Sequence, residues 1–138
     1  MAKTYNLFIS HSWTWGDAYE KLCALLDKAP NFLYRNYSVP RDDPVHNAPN
    51  VAALAAAMQT QMAPCHIIVV MAGKYATYSK WIQREIAIAQ RQFQTAKPVL
   101  GVKPWANTQV SSVVAQNADL MVNWNTDSIV AGIRQIAL

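Results

Sequence analysis

His66-Ile67-Ile68-Val69-Val70-Met71 is a continuous apolar run dominated by β-branched residues. A strand with one wet face alternates apolar and polar positions; this one does not. It reads instead as a strand covered on both faces by helices, as in the middle of a parallel sheet. The flanks agree. Upstream, Val51, Leu54, Ala55, Met58 and Met62 recur at helical spacing, with Asn50 placed to cap the segment and Pro64 to stop it. Downstream, Ser79 is a good N-cap for a helix whose core stripe is Ile82, Ile86, Ala89 and Phe93, closing at Lys97-Pro98.

The same pattern extends to both ends of the chain. Residues 5–9 form a short apolar strand, followed by the polar, aromatic turn Ser10-His11-Ser12-Trp13-Thr14-Trp15-Gly16. Asp17 with Glu20 opens a helix on Leu22, Leu25 and Leu26, which Pro30 and Asn31 end. Residues 32–39 read as a second strand, an edge one because Arg35, Asn36 and Ser38 interrupt it. Residues 40–49 are a long loop with three prolines and Arg41, Asp42, Asp43 and His46. A loop this long and charged is more often functional than idle. A fourth strand covers residues 99–102, a looser segment 105–117 holds a short helix at 110–115, and a fifth strand covers 120–123. Thr126 caps a last helix on Ile129, Val130, Ile133 and Ile136. Five strands alternating with helices predict a parallel sheet with helices on both faces. Ligands of such sheets bind at the carboxyl ends of the strands, near the switch in strand order. That criterion selects residues 10–16, 40–49 and 72–81.

Composition bounds the rest. At 138 residues and 15.4 kDa the chain has the size of one domain, and with 52% hydrophobic residues it is expected to fold. No apolar run is long enough to span a bilayer and no secretory signal is visible, so a cytoplasmic location is expected. The net charge of +4 reflects few acids more than many bases, and the 12 Lys and Arg are scattered, which argues against a nucleic-acid surface. A mildly positive field suits an anionic small molecule. Cys23 and Cys65 stand apart and outside any metal-ligand spacing, which predicts reduced, partly buried thiols. His11, His46 and His66 are equally dispersed, so no metal site is expected.

Glu85 stands out chemically. Between Asp43 and Asp119 it is the only acidic residue, set among Lys80, Arg84 and Arg91. Trp81 is four positions back, so the indole and the carboxylate meet on one helix face. The spacing puts that face at the border of the core, where a carboxylate is partly desolvated and suited to a chemical role. On spacing alone a structural ion pair with a neighbouring Lys or Arg is the commoner behaviour of a helical glutamate.

Two familiar owners of such a fold fail, and a third, a flavin-binding electron carrier, is only faintly supported. A phospho-acceptor receiver needs an acidic pair after the first strand, an Asp after the third and a Lys after the fifth; here Ser10-His11, Met71-Ala72-Gly73 and Asn123-Trp124 stand there. Ser10, Ser12, Thr14 and Gly16 imitate a flavodoxin phosphate loop, which Trp13 and Trp15 would crowd. The four glycines have no dinucleotide-fingerprint spacing.

Three motifs do fall in register on the expected fold: Phe8-Ile9-Ser10-His11-Ser12 at the first strand, Arg41-Asp42-Asp43-Pro44 after the second, and Ser79-Lys80-Trp81-Ile82-Gln83-Arg84-Glu85 opening the third helix. In this the chain resembles the TIR domains, most closely the compact bacterial TIR-like proteins of Thoeris-type antiphage defence. It departs from them where Val45, not glycine, follows Pro44, where Ile82 replaces a common cysteine, and in lacking a Phe-Trp box in the last helix. These departures bear on receptor-adaptor signalling more than on catalysis. The resemblance implies a flavodoxin-like α/β sandwich over residues 1–138, with a five-stranded parallel sheet of order 2-1-3-4-5.

The resemblance also implies an enzyme that takes NAD as substrate, with no further cofactor, and cleaves the nicotinamide–ribose bond. Glu85 would be the essential glutamate. Ser10, His11 and Ser12 would bond ribose or phosphate, or in the case of Ser10 satisfy the turn. Phe8 belongs to the same binding motif. Trp13 would wall the site or pack a helix; Trp81 would stack on nicotinamide or sugar, or anchor the core edge; Arg41 would meet a phosphate or remain a solvated loop charge. Self-association through TIR–TIR contacts would complete the site, and a cyclic or linear ADP-ribose product would be sensed by a separate effector protein. The rival expectation is a non-catalytic TIR-like module that binds its own kind through residues 40–49.

Overall fold

The computed structural model describes residues 3–10, 18–37, 51–72, 80–103 and 112–138. In chain order these form β1 (Thr4–Ser10), α1 (Ala18–Asp27), β2 (Leu33–Asn36), α2 (Val51–Met62), β3 (Ile67–Met71), α3 (Lys80–Arg91), β4 (Val99–Val102), α4 (Ser112–Asn117), β5 (Leu120–Val122) and α5 (Thr126–Ile136). The sheet has the order β2-β1-β3-β4-β5 with every pair parallel, the flavodoxin-like arrangement expected.

The apolar run at the centre behaves as its composition requires. Ile67, Ile68, Val69 and Val70 are all fully buried, because successive side chains point to opposite faces and both faces are covered. Ile68 and Val70 join Phe8 and Val99 in a core with Met58 and Met62 of α2 and with Ile86, Ile88 and Ala89 of α3. Ile67 and Val69 join Leu7, Ile9, Leu100 and Val102 in a second core with Leu22 and Leu26 of α1 and with Ile129 and Ile133 of α5. The molecule is therefore three layers, α2, α3 and α4 against one face of the sheet and α1 and α5 against the other.

β2 is an edge strand, as its polar interruptions predict; Leu33, Arg35 and Asn36 are exposed. It is shorter than residues 32–39, though Tyr37 N–H still donates to Leu7 O (2.8 Å) and extends the ladder by one rung. Asn31 occupies the left-handed region (φ 61°) in the turn from α1 to β2, a conformation that Asn tolerates better than most side chains. Arg134 Nη2 donates to the carbonyl of that residue (3.0 Å), so α5 braces the turn.

Three helix boundaries differ from the sequence reading. α3 ends at Arg91, not at Lys97-Pro98, because the chain turns back there: Lys97 N–H donates to Ala89 O (2.9 Å), serving a carbonyl of the last helical turn. Phe93 thus lies beyond the helix, packed on its core. The N-cap of α5 is Asn125, not Thr126: Asn125 Oδ1 accepts from Ser128 N–H (2.7 Å), while Thr126 Oγ1 donates to Leu25 O (2.7 Å) and ties α5 to α1. The short α4 lies two residues further on than residues 110–115. The caps read at Asp17, Asn50 and Ser79 lie outside the described residues.

Neither cysteine is in a disulfide; Cys23 is half-buried, as expected, but Cys65 is fully buried rather than partly so.

Candidate functional site

Strand order places the switch between β1 and β3, the pair whose chain connections run to opposite sides of the sheet. At their carboxyl ends Ser10 is in register with Val70, and Met71 with Val102 of β4. Ala72 N–H donates to Val102 O (2.8 Å), so the ladder holds to the point where the chain leaves toward α3. Of the candidate motifs, Ser10 ends β1 beside the end of β3, and α3, which carries Trp81 and Glu85, is the helix that follows β3 in the chain.

The depth of Glu85 differs from the sequence reading. The spacing puts it at the border of the core; the fold puts it inside, 1% exposed, the one charged side chain among the described buried residues. The reason is α2. A helix lying alone on a sheet leaves its flanks wet, but α2 packs beside α3 and contributes Met58 and Met62 to the core that holds Ile86, Ile88 and Ala89. Ile88, outside the expected stripe, is buried in that shared core. Removing a carboxylate from water costs several kcal/mol unless neighbours compensate it, so such a residue is retained for a reason.

Phe8 is 0% exposed and packs in the core on the α2–α3 face. Ser10 is the last residue of β1, and Trp81 lies one helical turn before Glu85 on α3. His11, Ser12, Trp13 and Arg41 lie outside the described residues, as do the loops 40–49 and 73–79.

Polar side chains that the sequence reading passed over hold this region in place. Gln59 Nε2 donates to Gln92 O (3.0 Å), fastening α2 to the end of α3. Gln61 Nε2 donates to Tyr37 O (2.8 Å), fastening α2 to the exit of β2. Gln90 Nε2 donates to Asn117 O (2.8 Å), linking α3 to α4. Their signal in sequence is faint: Gln59 and Gln61 are polar residues in an otherwise Ala- and Met-rich helix.

Elsewhere, an open hollow of about 280 Å³ lies between β5 and α5, lined among others by Lys103, Asn123, Ser128 and Gln135. It contains no carboxylate, and the acid-bearing α3 face remains the better candidate for chemistry. No group of three or more His, Cys, Asp or Glu suited to a metal ion occurs among the described residues, and none of the described helices is long and apolar enough to cross a membrane.

No curated protein matches the chain significantly. One family model does, described as the Thoeris protein ThsB, TIR-like domain, over residues 8–109. The matched stretch runs from Phe8 through β4 and includes Arg41, Trp81 and Glu85; beyond it β5 completes the sheet, and α4 and α5 pack on it. With well over half of its length matched and the parallel 2-1-3-4-5 sheet in place, the chain belongs to the TIR-like domain family of the Thoeris protein ThsB.

Proposed function

We propose that this protein serves antiphage defence as an NAD-consuming enzyme that breaks the nicotinamide–ribose bond, with Glu85 as its catalytic carboxylate. The observation that carries the proposal is Glu85 itself, a buried acid at 1% exposure on the helix that follows the carboxyl end of β3, in a chain of the Thoeris TIR-like family. The chemistry suits a single carboxylate. Nicotinamide in NAD is cationic, leaves as a neutral molecule and needs no general acid. The sugar left behind is oxocarbenium-like, and one carboxylate stabilises that charge or holds the ribose hydroxyls, as in glycosidases. Trp81, one turn earlier, supplies a stacking surface, and Ser10, at the end of β1, a hydrogen bond.

The fate of the sugar depends on water. If water attacks, ADP-ribose results; if an adenine nitrogen or a ribose hydroxyl of the same molecule attacks, a cyclic isomer forms and water must be kept out. Such a product is a soluble signal for a separate effector protein. NAD is the substrate and no resident cofactor takes part. Self-association through residues 40–49, with Arg41 reaching a neighbour's phosphate, belongs to the same proposal.

The burial of Glu85 also favours a second reading, a non-catalytic interaction module in which this carboxylate serves the fold alone. One experiment separates the two. The protein is incubated with NAD, with and without extract of phage-infected cells, and nicotinamide is followed by chromatography and mass spectrometry beside Glu85→Gln. Release by the native chain, lost in a Glu85→Gln variant of unchanged melting temperature, is expected, and the mass of the second product tells hydrolysis from cyclisation. Absence of release under both conditions would overturn the enzyme and leave the module.

A further inference from the structure

At the amino ends of the central strands, opposite the candidate site, His66 occupies an unusual junction. It directly precedes β3, and its N–H donates to Asn6 O (2.8 Å) just before the paired register begins at Leu7 and Ile67. A further rung would need a carbonyl for the N–H of Asn6, but the chain turns away at Pro64 and Cys65. The His66 ring fills the place: Asn6 N–H donates to His66 Nδ1 (2.9 Å). Asn6 Nδ2 donates to Pro64 O (2.8 Å), so this side chain is engaged on the same turn. The carbonyl of His66 in turn accepts from Leu138 N–H (3.0 Å), and Lys3 Nζ donates to Leu138 O. One residue thus joins β1, β3 and the segment after α5.

We propose that the His66 imidazole is a proton-operated latch: neutral, it closes the amino end of the β1–β3 pair; protonated, it releases it. The geometry requires this direction. Nδ1 accepts a hydrogen bond only when it carries no proton, and a proton there would face the N–H of Asn6, donor against donor. Charge acts the same way. Among the described residues the titratable groups around the ring are Lys3 and Tyr5 from β1 and the residue before it, Lys97 from the segment before β4, and Cys65 next in sequence. Tyr5 presents its ring edge-on (centroids 6.4 Å apart). Lys97 Nζ is held by Ala63 O and Cys65 O, and Arg134 of α5 is turned away onto Asn31 O and the Phe32 ring. No described carboxylate side chain offsets the two lysines there.

Burial first, then Lys3 and Lys97, hold the imidazole below its ordinary value of 6.5. A base whose folded value is depressed binds its proton more readily when unfolded. The latch is therefore fully closed above the unfolded value of 6.5, and its contribution is lost as pH falls below that toward the folded value.

The test follows the ring nitrogens of His66 and the exchange of the Asn6 amide by NMR from about pH 8 down to about pH 5, bracketing an ordinary histidine. At the upper end His66 is expected as the Nε2–H tautomer. As it titrates, protection at Asn6 relative to Val69 is expected to fall by about fivefold to tenfold, the worth of one net hydrogen bond. His66→Asn, which keeps a side-chain acceptor and cannot titrate, is expected to show protection independent of pH. Titration of His66 with unchanged relative protection at Asn6, or the same pH dependence in His66→Asn, would overturn the latch. Should that variant fail to fold, the wild-type titration decides alone.

Discussion

Cys65 lies at the foot of β3 and Cys23 on α1, and their surroundings set different reactivities. Burial pushes the Cys65 thiol up to about 12, against the opposing pull of the Lys97 charge, and the side chain is 2% exposed. At pH 8 only about one molecule in ten thousand would then carry the thiolate, the reactive form. Cys23 is half-buried at the surface of its core, with Asn36 Nδ2 3.8 Å from its sulfur. A thiol reagent added to the native protein is expected to modify Cys23 first, and Cys65 only at the rate of unfolding; equal rates by mass spectrometry would contradict the burial of Cys65. Glu85 shows what a single residue's letters convey. Its isolation among bases and its place on α3 are visible in the chain. Its depth is not, because burial depends on how elements distant in the chain pack about α3.

At the scale of elements, Lys97 is the joint between α2 and α3. Its backbone N–H serves Ala89 O at the end of α3, and its ammonium serves Ala63 O (2.8 Å) and Cys65 O (2.9 Å) at the end of α2, over the Phe93 ring at 4.9 Å. Terminal helix carbonyls lack partners within the helix, and a cation there both bonds them and complements the helix dipole. Lys97→Met keeps the aliphatic stem and removes the charge. It is expected to cost about 1–3 kcal/mol, the range for stranding acceptors of a charged donor. The urea midpoint should fall with an unchanged slope; an unchanged midpoint would mean that water replaces the ammonium without loss. The cap of α5 teaches a related lesson. Asn125 and Thr126 are both good cap residues, and adjacent ones. Which of them caps is decided by Leu25, whose carbonyl takes the Thr126 hydroxyl.

For the whole molecule, the closeness of the α1–α5 layer to the sheet rests on Gly132. A Cβ there would come within 2.9 Å of Val122 Cγ1 and 3.0 Å of Leu100 Cδ1, and Leu100 is fully buried with no room to retreat. Overpacking of this kind costs about 2 kcal/mol, and the better helix propensity of alanine returns about 1 kcal/mol. Gly132→Ala is therefore expected to lower stability by about 1 kcal/mol, a fall of a few degrees in melting temperature; a rise would show that α5 can lift without penalty. The sequence by itself determined the alternation of strands and helices, the doubly covered β3 and the edge character of β2, because hydrophobic period and polar interruptions are local properties of the chain. It also carried the motifs by which the family was recognised. Only the tertiary structure decided how deep Glu85 lies, where α3 stops, which residue caps α5, why residue 132 is glycine, and that His66 completes a rung of the sheet. Each of these depends on an atom brought near from a distant part of the chain, and no window of neighbouring residues contains it.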